Sequence, residues 1–481
     1  MPLASRNAPT ILVILGVTGD LAARKILPAL FHLFVKGELP TRFRIVGFAR
    51  REFAPDAFRA LISEIVTPHA QRAGTAGRIE PFLELIQYER GFFEDEQYYH
   101  ALSTTLTGID AQWGLCSNKL FYLSVPPHMY EQILRHLASS GLTKSCSDEE
   151  GWTRVLVEKP FGKDARTAET LDTLLGTLFR EEQIYRIDHY LAKEMIQNIL
   201  VFRFSNSLFE EIWNGENIEH IRITLFEKLG VERRGAFYDG LGALRDVGQN
   251  HLLAMLALVT MEHPQSFAGD AVRKRRAEVL TALPETPPPR IATDTFRAQY
   301  AGYREIQDIA PHSETETFFR IKTVLTSPRW NGVPVIMESG KRMHAQRKEV
   351  VVTFKHPVPC LCPPDHDHYK NKIIFSLEPT EGIKIQFWSK RPGLTFALEE
   401  RDFDFLLRDS RERAQYVEEY EKLLLDCIVG DQMLFLSTAE VKEMWRFIDP
   451  IIAAWQANAV PLATYEPDRE KVLELAKHIS F

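Results

Sequence analysis

The chain has 481 residues, 45% hydrophobic and 26% charged, with 30 Phe and 7 Trp. At roughly 100–200 residues per domain this is enough for two domains, three at the outer limit. A formal charge of −7 and a pI near 6.1 argue against nucleic acid or an anionic membrane as the main partner, since either needs a basic field. An anionic substrate must then be drawn in by local clusters of Lys, Arg and His.

The first ten residues carry one Arg and run into the apolar stretch 11–15, too short for a signal-peptide core. The longest later apolar run, 252–261, falls well short of the roughly 20 residues that span a bilayer. Cytoplasmic residence is expected, and the five cysteines, an odd count, fit reduced thiols.

Residues 10–185 alternate short apolar runs with helical patterns. The runs 11–15, 44–48, 120–125 and 154–157 read as buried parallel strands, with helices over 21–35, 56–66, 129–138 and 167–179. Alternation of this kind gives βαβ units and a doubly wound α/β sheet of the Rossmann type. Pro28 lies inside the first helix and should kink it, although Leu27, Leu30, Phe31 and Phe34 preserve an apolar stripe.

The first strand ends in Gly16-Val17-Thr18-Gly19-Asp20-Leu21-Ala22. Glycine lets backbone amides approach a pyrophosphate, which sits on the positive end of the next helix. The spacing departs from G-x-G-x-x-G, and such a turn taken alone is as often merely structural. Its place after the first strand and before the first helix raises the dinucleotide reading. The second strand ends Gly47-Phe48-Ala49-Arg50-Arg51. An acid here would meet a ribose 2′-hydroxyl, whereas two arginines favour a 2′-phosphate and hence NADP. Lys25 adds positive charge nearby.

The strand 154–157 runs into Glu158-Lys159-Pro160-Phe161-Gly162, which puts Lys159 at the ligand-facing carboxyl end of a parallel strand. Residues 185–204 join the two halves, so a cleft is expected there. Within them stands Arg186-Ile187-Asp188-His189-Tyr190-Leu191-Ala192-Lys193-Glu194. His189 and Lys193 are four apart, and on a helix they would share a face and clasp one phosphate. Asp188 would point elsewhere, free to orient another group.

From about residue 215 the periodicity changes. Ile218–Phe226, 317–326, 334–338, 348–354, 372–377 and 383–388 are strand-like, with hairpin turns at Asn331-Gly332 and Glu381-Gly382. Helical patterns cover 244–260, 414–428 and 439–457, and Pro450 should kink or break the last. Residues 284–290 read as a surface loop. The expected architecture is thus an α/β domain (1–187) followed by a β+α domain (188–481) with a large, mostly antiparallel sheet. At the head of helix 244–260, Arg245-Asp246-Val247-Gly248-Gln249-Asn250-His251 gathers polar groups before an apolar run, a costly arrangement unless each finds a partner. His251 is the best general base for a sugar hydroxyl. A carboxylate on its other ring nitrogen would fix the tautomer, and Asp188 is the candidate.

Taken together, G-x-x-G-D-L-A, E-K-P-F-G, R-I-D-H-Y-L-x-K-E and R-D-x-x-Q-N-H-L-L resemble the glucose-6-phosphate dehydrogenase family over residues 11–450. The third segment is the specific one; E-K-P also occurs in other sugar oxidoreductases. The resemblance implies oxidation of glucose 6-phosphate to the 1,5-lactone, the first step of the oxidative pentose phosphate pathway. NADP would be the acceptor, with NAD as the alternative, in a homodimer or homotetramer. By matching position, His251 takes the C1 hydroxyl proton and Asp188 orients it. His189, Tyr190 and Lys193 contact the phosphate, Lys193 also lying near the reacting sugar. Glu227, Asp246 and Lys341 contact substrate, and Lys159 meets substrate and cofactor. Gly16, Val17, Thr18, Gly19, Asp20, Leu21, Arg50 and Tyr122 fall at cofactor positions. Gln346 occupies a substrate-binding position where the family often has a second basic residue. That departure weakens anion contact and bears on strict NADP preference, with Arg347 as the neighbouring substitute. Ser376 stands where relatives with a second, structural NADP carry Arg, so no such site is expected.

Cys360, Cys362, His366 and His368 are metal-ligand types at close spacing, but the chemistry needs no metal and the stretch reads as a polar hairpin loop. Arg273-Lys274-Arg275-Arg276 reads as a solvated helix face. Two rival functions are a sugar dehydrogenase of the glucose–fructose oxidoreductase type, lacking the phosphate clasp, and a catalytically silent sugar-phosphate or dinucleotide sensor.

Overall fold

A run of five apolar residues can avoid water only if both faces of its strand are covered, and that is the environment of β1 (Thr10–Leu15), every residue of which is buried. In the computed structural model, which describes residues 8–146, 151–359, 368–407 and 418–481, β1 is central to a parallel sheet. Its neighbours are β2 (Phe43–Ala49), β3 (Ile86–Arg90), β4 (Asn118–Leu123), β5 (Thr153–Glu158) and β6 (Ile184–Ile187), in the order β6-β5-β4-β1-β2-β3. This is the Rossmann order, with its switch point between β1 and β4. Neither β3 nor β6 was expected. One is a mostly half-exposed edge without apolar alternation, and the other is only four residues long.

The second sheet contains β7 (Ile218–Phe226), β8 (Thr295–Tyr300), β9 (Phe318–Leu325), β10 (Val333–Gly340), β11 (Arg347–Phe354), β12 (Lys372–Glu378), β13 (Gly382–Lys390) and β14 (Leu398–Leu406). After these, β15 (Phe435–Leu436) returns to the first sheet, antiparallel to β6, and β16 (Leu462–Tyr465) closes the second. The order of the large sheet is β14-β13-β12-β11-β7-β10-β9-β8-β16. All its pairs are antiparallel except β7–β10 and β8–β16. Helices Glu194–Phe204 and Leu253–Thr260 pack against each other, the first lies on β12, and the π-helical segment Leu244–Leu252 that precedes the second lies on β10. The carboxyl ends of β7, β10 and β12 and the start of β11 share one edge.

Two helix prolines, and the winding of the helix that carries His251, differ from expectation. The first helix begins as a wide π-helical turn, Ala22–Ile26, and becomes α-helical at Leu27–Lys36, with Pro28 in the first α turn. A missing N–H is tolerated there, so a change of winding replaces the kink. The helix Thr438–Gln456 continues unbroken through Pro450. Phe447, Ile448, Ile451 and Ile452 are buried on both sides of it, and that burial, roughly 1.5–3 kcal/mol per side chain, outweighs the lost bond. The 244–260 helix is π-helical over Leu244–Leu252 and α-helical over Leu253–Thr260.

Other expectations are corrected outright. Arg273 and Arg276 are not solvated: they lie three apart on the inner face of helix Gly269–Thr281 and are buried. Arg276 pairs with Glu440 at 2.7 Å and donates to the Met433 and Phe435 carbonyls, tying helix Gly269–Thr281 to the C-terminal segment. A helix, Pro288–Asp294, begins inside the 284–290 loop. Cys116 and Cys146 form a disulfide, because chain segments flanking β4 and β5 bring their Cα atoms to 6.4 Å; Cys427 is a buried thiol. Cys360, Cys362 and His366 lie outside the described residues. Among the described residues no helix is long and apolar enough to cross a membrane.

Candidate active site

The glycine turn is built as a close-approach turn. Gly16 has φ +93°, and a Cβ on it would fall 2.3 Å from the Ser124 carbonyl oxygen that follows β4. Its N–H donates to the Phe48 carbonyl at the end of β2, and its own carbonyl accepts from Gly19. Only glycine fits this crossing of three strand ends. The turn thus sits at the switch point, where a dinucleotide's phosphates meet backbone amides. Val17 is buried, Thr18, Gly19 and Leu21 are half-buried, and Asp20 is exposed. Arg50 is exposed just beyond β2. Tyr122 is fully enclosed in β4, its hydroxyl donating to Glu158 at 2.6 Å.

His251 stands near the end of the π-helical segment, and from that segment Asp246 and His251 both meet Lys159 just beyond β5. Its Nδ1 lies 2.5 Å from Asp188 Oδ1, and its Nε2 lies 2.8 Å from Lys159 Nζ. These distances fit one tautomer: Nδ1–H donates to the carboxylate and Nε2 accepts from the ammonium. Both His251 and Asp188 are buried. Burial, reinforced by Lys159, holds the imidazole well below its usual pKa and therefore neutral. Burial also raises the Asp188 carboxyl, against the pull of His189 and Lys159. The Tyr190 amide donates to the same Asp188 oxygen at 3.0 Å. Lys159 also donates to the Asp246 carbonyl at 3.0 Å. Burial would raise Asp246, yet Lys159 and Lys341 outweigh it and keep the carboxyl below its ordinary range.

Residues 189–193 are not helical. They form turns closed by Leu191 N–H to the Asp188 carbonyl and Lys193 N–H to the Tyr190 carbonyl, and the helix starts only at Glu194. The helical reason for a clasp is therefore corrected; the turns nonetheless bring both side chains to one place. His189 and Lys193 line a cavity of about 370 Å³ together with Asp20, Leu21, Lys25 and Tyr420. Tyr190 stacks on His251 with ring centroids 4.0 Å apart, and the His189 ring meets His251 edge-on at 4.8 Å. Burial, then His251 and Lys159, lower the His189 pKa well below normal.

The ends of the large sheet supply the remaining groups. Lys341, just beyond β10, reaches Glu227, just beyond β7, at 2.7 Å and Asp246 at 3.9 Å. Gln346 donates to Glu378 at 2.6 Å. Arg347 does not substitute for a basic residue at 346. Strand alternation turns it to the opposite face, over the Phe226 ring, and Lys348 reaches the site instead, 3.0 Å from Glu378. The site so assembled has a deep imidazole–carboxylate pair, an ammonium on the imidazole, and a cluster of cations at the sheet ends.

Against this geometry, the family model "Glucose-6-phosphate dehydrogenase, NAD binding domain" matches residues 13–198. The model for the C-terminal domain of the same family matches residues 200–479. This chain belongs to the glucose-6-phosphate dehydrogenase family. It is 36% identical to a glucose-6-phosphate 1-dehydrogenase of Chlamydia pneumoniae over 94% of this chain and 91% of the relative. A Treponema pallidum glucose-6-phosphate 1-dehydrogenase is 38% identical over 95% and 91%. A solved glucose-6-phosphate dehydrogenase in complex with its substrate glucose 6-phosphate superposes with a TM-score of 0.88 at 30% identity, covering 99% of this chain and 98% of that one.

In this member of the glucose-6-phosphate dehydrogenase family, several groups of the site escaped the sequence reading. Glu158 carries no signal of its own beyond the E-K-P-F-G motif. It accepts from Tyr122 and, at 3.2 Å, from Tyr420, and burial lifts it to a pKa of about 7 despite those bonds. Glu419 lies 3.0 Å from Lys193. Lys348 is legible from two-residue alternation with Gln346, which immediately precedes β11. Glu378 and Glu419 carry no local signal, because only strand pairing and chain return bring them in.

Proposed function

We propose that this chain oxidises glucose 6-phosphate to 6-phosphoglucono-1,5-lactone, with His251 as the base at the C1 hydroxyl. The observation that carries the reading is the neutral His251 imidazole held between Asp188 and Lys159. Its Nε2 is the atom that would accept the hydroxyl proton, so the substrate hydroxyl would take the place of Lys159 on that nitrogen. Asp188, fixed on Nδ1, holds the ring and stabilises the imidazolium that forms. Lys159 would then stay on the Asp246 carbonyl at the same edge. His189, Tyr190 and Lys193 would bind the phosphate, while Glu227, Asp246 and Lys341 would hold sugar hydroxyls.

The Gly16 crossing and Arg50 fit a pyrophosphate and a 2′-phosphate, and NADP bound there supplies the hydride acceptor. We assign residues 1–187 to cofactor binding and 188–481 to substrate binding and catalysis. The chain is expected to act in the cytoplasm as a dimer or tetramer. The outer strands β13 and β14 support self-association, with Phe403 and Phe405 63% and 55% exposed; light scattering of the purified chain reads the assembly. Spectrophotometric reduction of NADP or NAD with glucose 6-phosphate tests the activity. Turnover of unphosphorylated sugars alone would favour the glucose–fructose oxidoreductase type. Binding without turnover would favour a sensor.

A further inference from the structure

At the sheet end of the site a carboxylate occupies the centre of a cation cluster. Glu378 closes β12 and faces Lys348 directly across the β11–β12 pair. Its two oxygens lie 3.0–3.1 Å from Lys348 Nζ, 2.6 Å from Gln346 Nε2 and 3.5 Å from Lys193 Nζ. Both ammonium groups also lie against the Tyr190 ring, 5.5 Å from its centroid for Lys193 and 5.4 Å for Lys348. Tyr190 in turn stacks on His251, so the cluster is continuous with the catalytic pair. Two lysines and an amide converging on one small anion make the kind of environment a phosphate dianion seeks.

We infer that Glu378 is a resident competitor for the substrate phosphate, and that Lys348 is the cation both compete for, replacing the basic side chain absent at Gln346. This rests on the assignment of the phosphate end given above. A carboxylate that satisfies Lys193 and Lys348 lowers the cost of holding two like charges together beside a buried base. It also sets a threshold: an anion must bind those lysines better than Glu378 does. A phosphate, with more charge and a third oxygen, meets it; a neutral sugar has no group to do so. Glu378 therefore sets the affinity for the phosphate group by competition and leaves the binding of neutral sugar unaffected, whereas Glu419, paired with Lys193, is a partner from outside the sheet.

Titration calorimetry of the full chain with inorganic phosphate tests this without any turnover. Losing one charge-assisted competitor should tighten phosphate about tenfold in Glu378→Gln, and Lys348→Met should weaken it about tenfold. The KM for glucose 6-phosphate should move in the same directions, while the KM for unphosphorylated glucose should not follow. Phosphate affinity unchanged or weakened in a folded Glu378→Gln overturns the inference, as does a glucose KM that moves in step. Should Glu378→Gln fail to fold, Glu378→Asp and Lys348→Met carry the test: phosphate affinity unaltered in both overturns it equally. If the wild type binds phosphate as expected but does not oxidise the sugar phosphate, the proposed function falls and the competition stands.

Discussion

The two ends of the site hold charge in opposite ways. At the first-sheet end, His251 and Asp188 are sealed from solvent and hold each other in one geometry, with a single hydrogen bond joining them. At the large-sheet end, Lys193 and Lys348 are shared among Glu378, Glu419 and Glu227 at 3.0–3.8 Å, and several of these groups are partly exposed. A buried pair is rigid because losing either partner strands a charge. A half-open cluster can exchange one anion for another at small net cost. The first arrangement suits a proton transfer that demands fixed distances. The second suits a binding group that must be taken up and released.

If that contrast is right, the sealed end governs turnover and the open end governs affinity. The largest effect is then expected from His251→Asn, which should lower kcat by on the order of 10²–10⁴ with little change in KM; steady-state kinetics showing near-normal turnover would remove His251 as the base. Next comes His189→Ala, for which the KM for glucose 6-phosphate should rise about tenfold while kcat changes much less. An unaltered KM would mean that the open end does not bind phosphate. A comparable change, about tenfold, is expected in the ratio of kcat/KM for NADP to that for NAD on replacing Arg50 by Ser. Equal ratios before and after would place the 2′-phosphate elsewhere.

The smallest effect is one of pH. Burial first and Lys159 second hold His251 below its usual pKa, so the neutral base persists as pH falls. The acid limb of kcat/KM should accordingly lie well below pH 6.5. Lys159→Met removes the second cause and should move that limb upward, with the remaining activity sufficient to trace it. A limb that stays in place, or moves down, would show that the ammonium does not act on the imidazole.

Much of the frame was legible from local pattern. The continuous apolar runs at β1, β2, β4 and β5 mark parallel strands because both faces must be covered, and Ile218–Phe226 was read with its observed ends. The pairing of His251 with Asp188 was also legible, through the motifs that carry them. Other features were not, for definite reasons. Helical spacing is not what brings His189 and Lys193 together: those residues form turns, and it is the fold of the turns that gathers them. Arg273 and Arg276 read as solvated charge because their partners Gln432 and Glu440 lie more than 150 residues away. Lys348, rather than Arg347, reaches the site because a β-strand sends neighbouring side chains to opposite faces.

By itself the sequence determined the change from a parallel to a mostly antiparallel half, the glycine turn, and the proposed base His251 with Asp188 as its candidate carboxylate. Each of these follows from periodicity or from the chemistry of a short segment, which the chain carries wherever it lies. Tertiary structure alone decided which carboxylates surround the cations, where the C-terminal strand β15 returns, and how the helix bearing His251 winds. Those outcomes depend on strand order, register and packing, and these are properties of distant segments brought together rather than of any one of them.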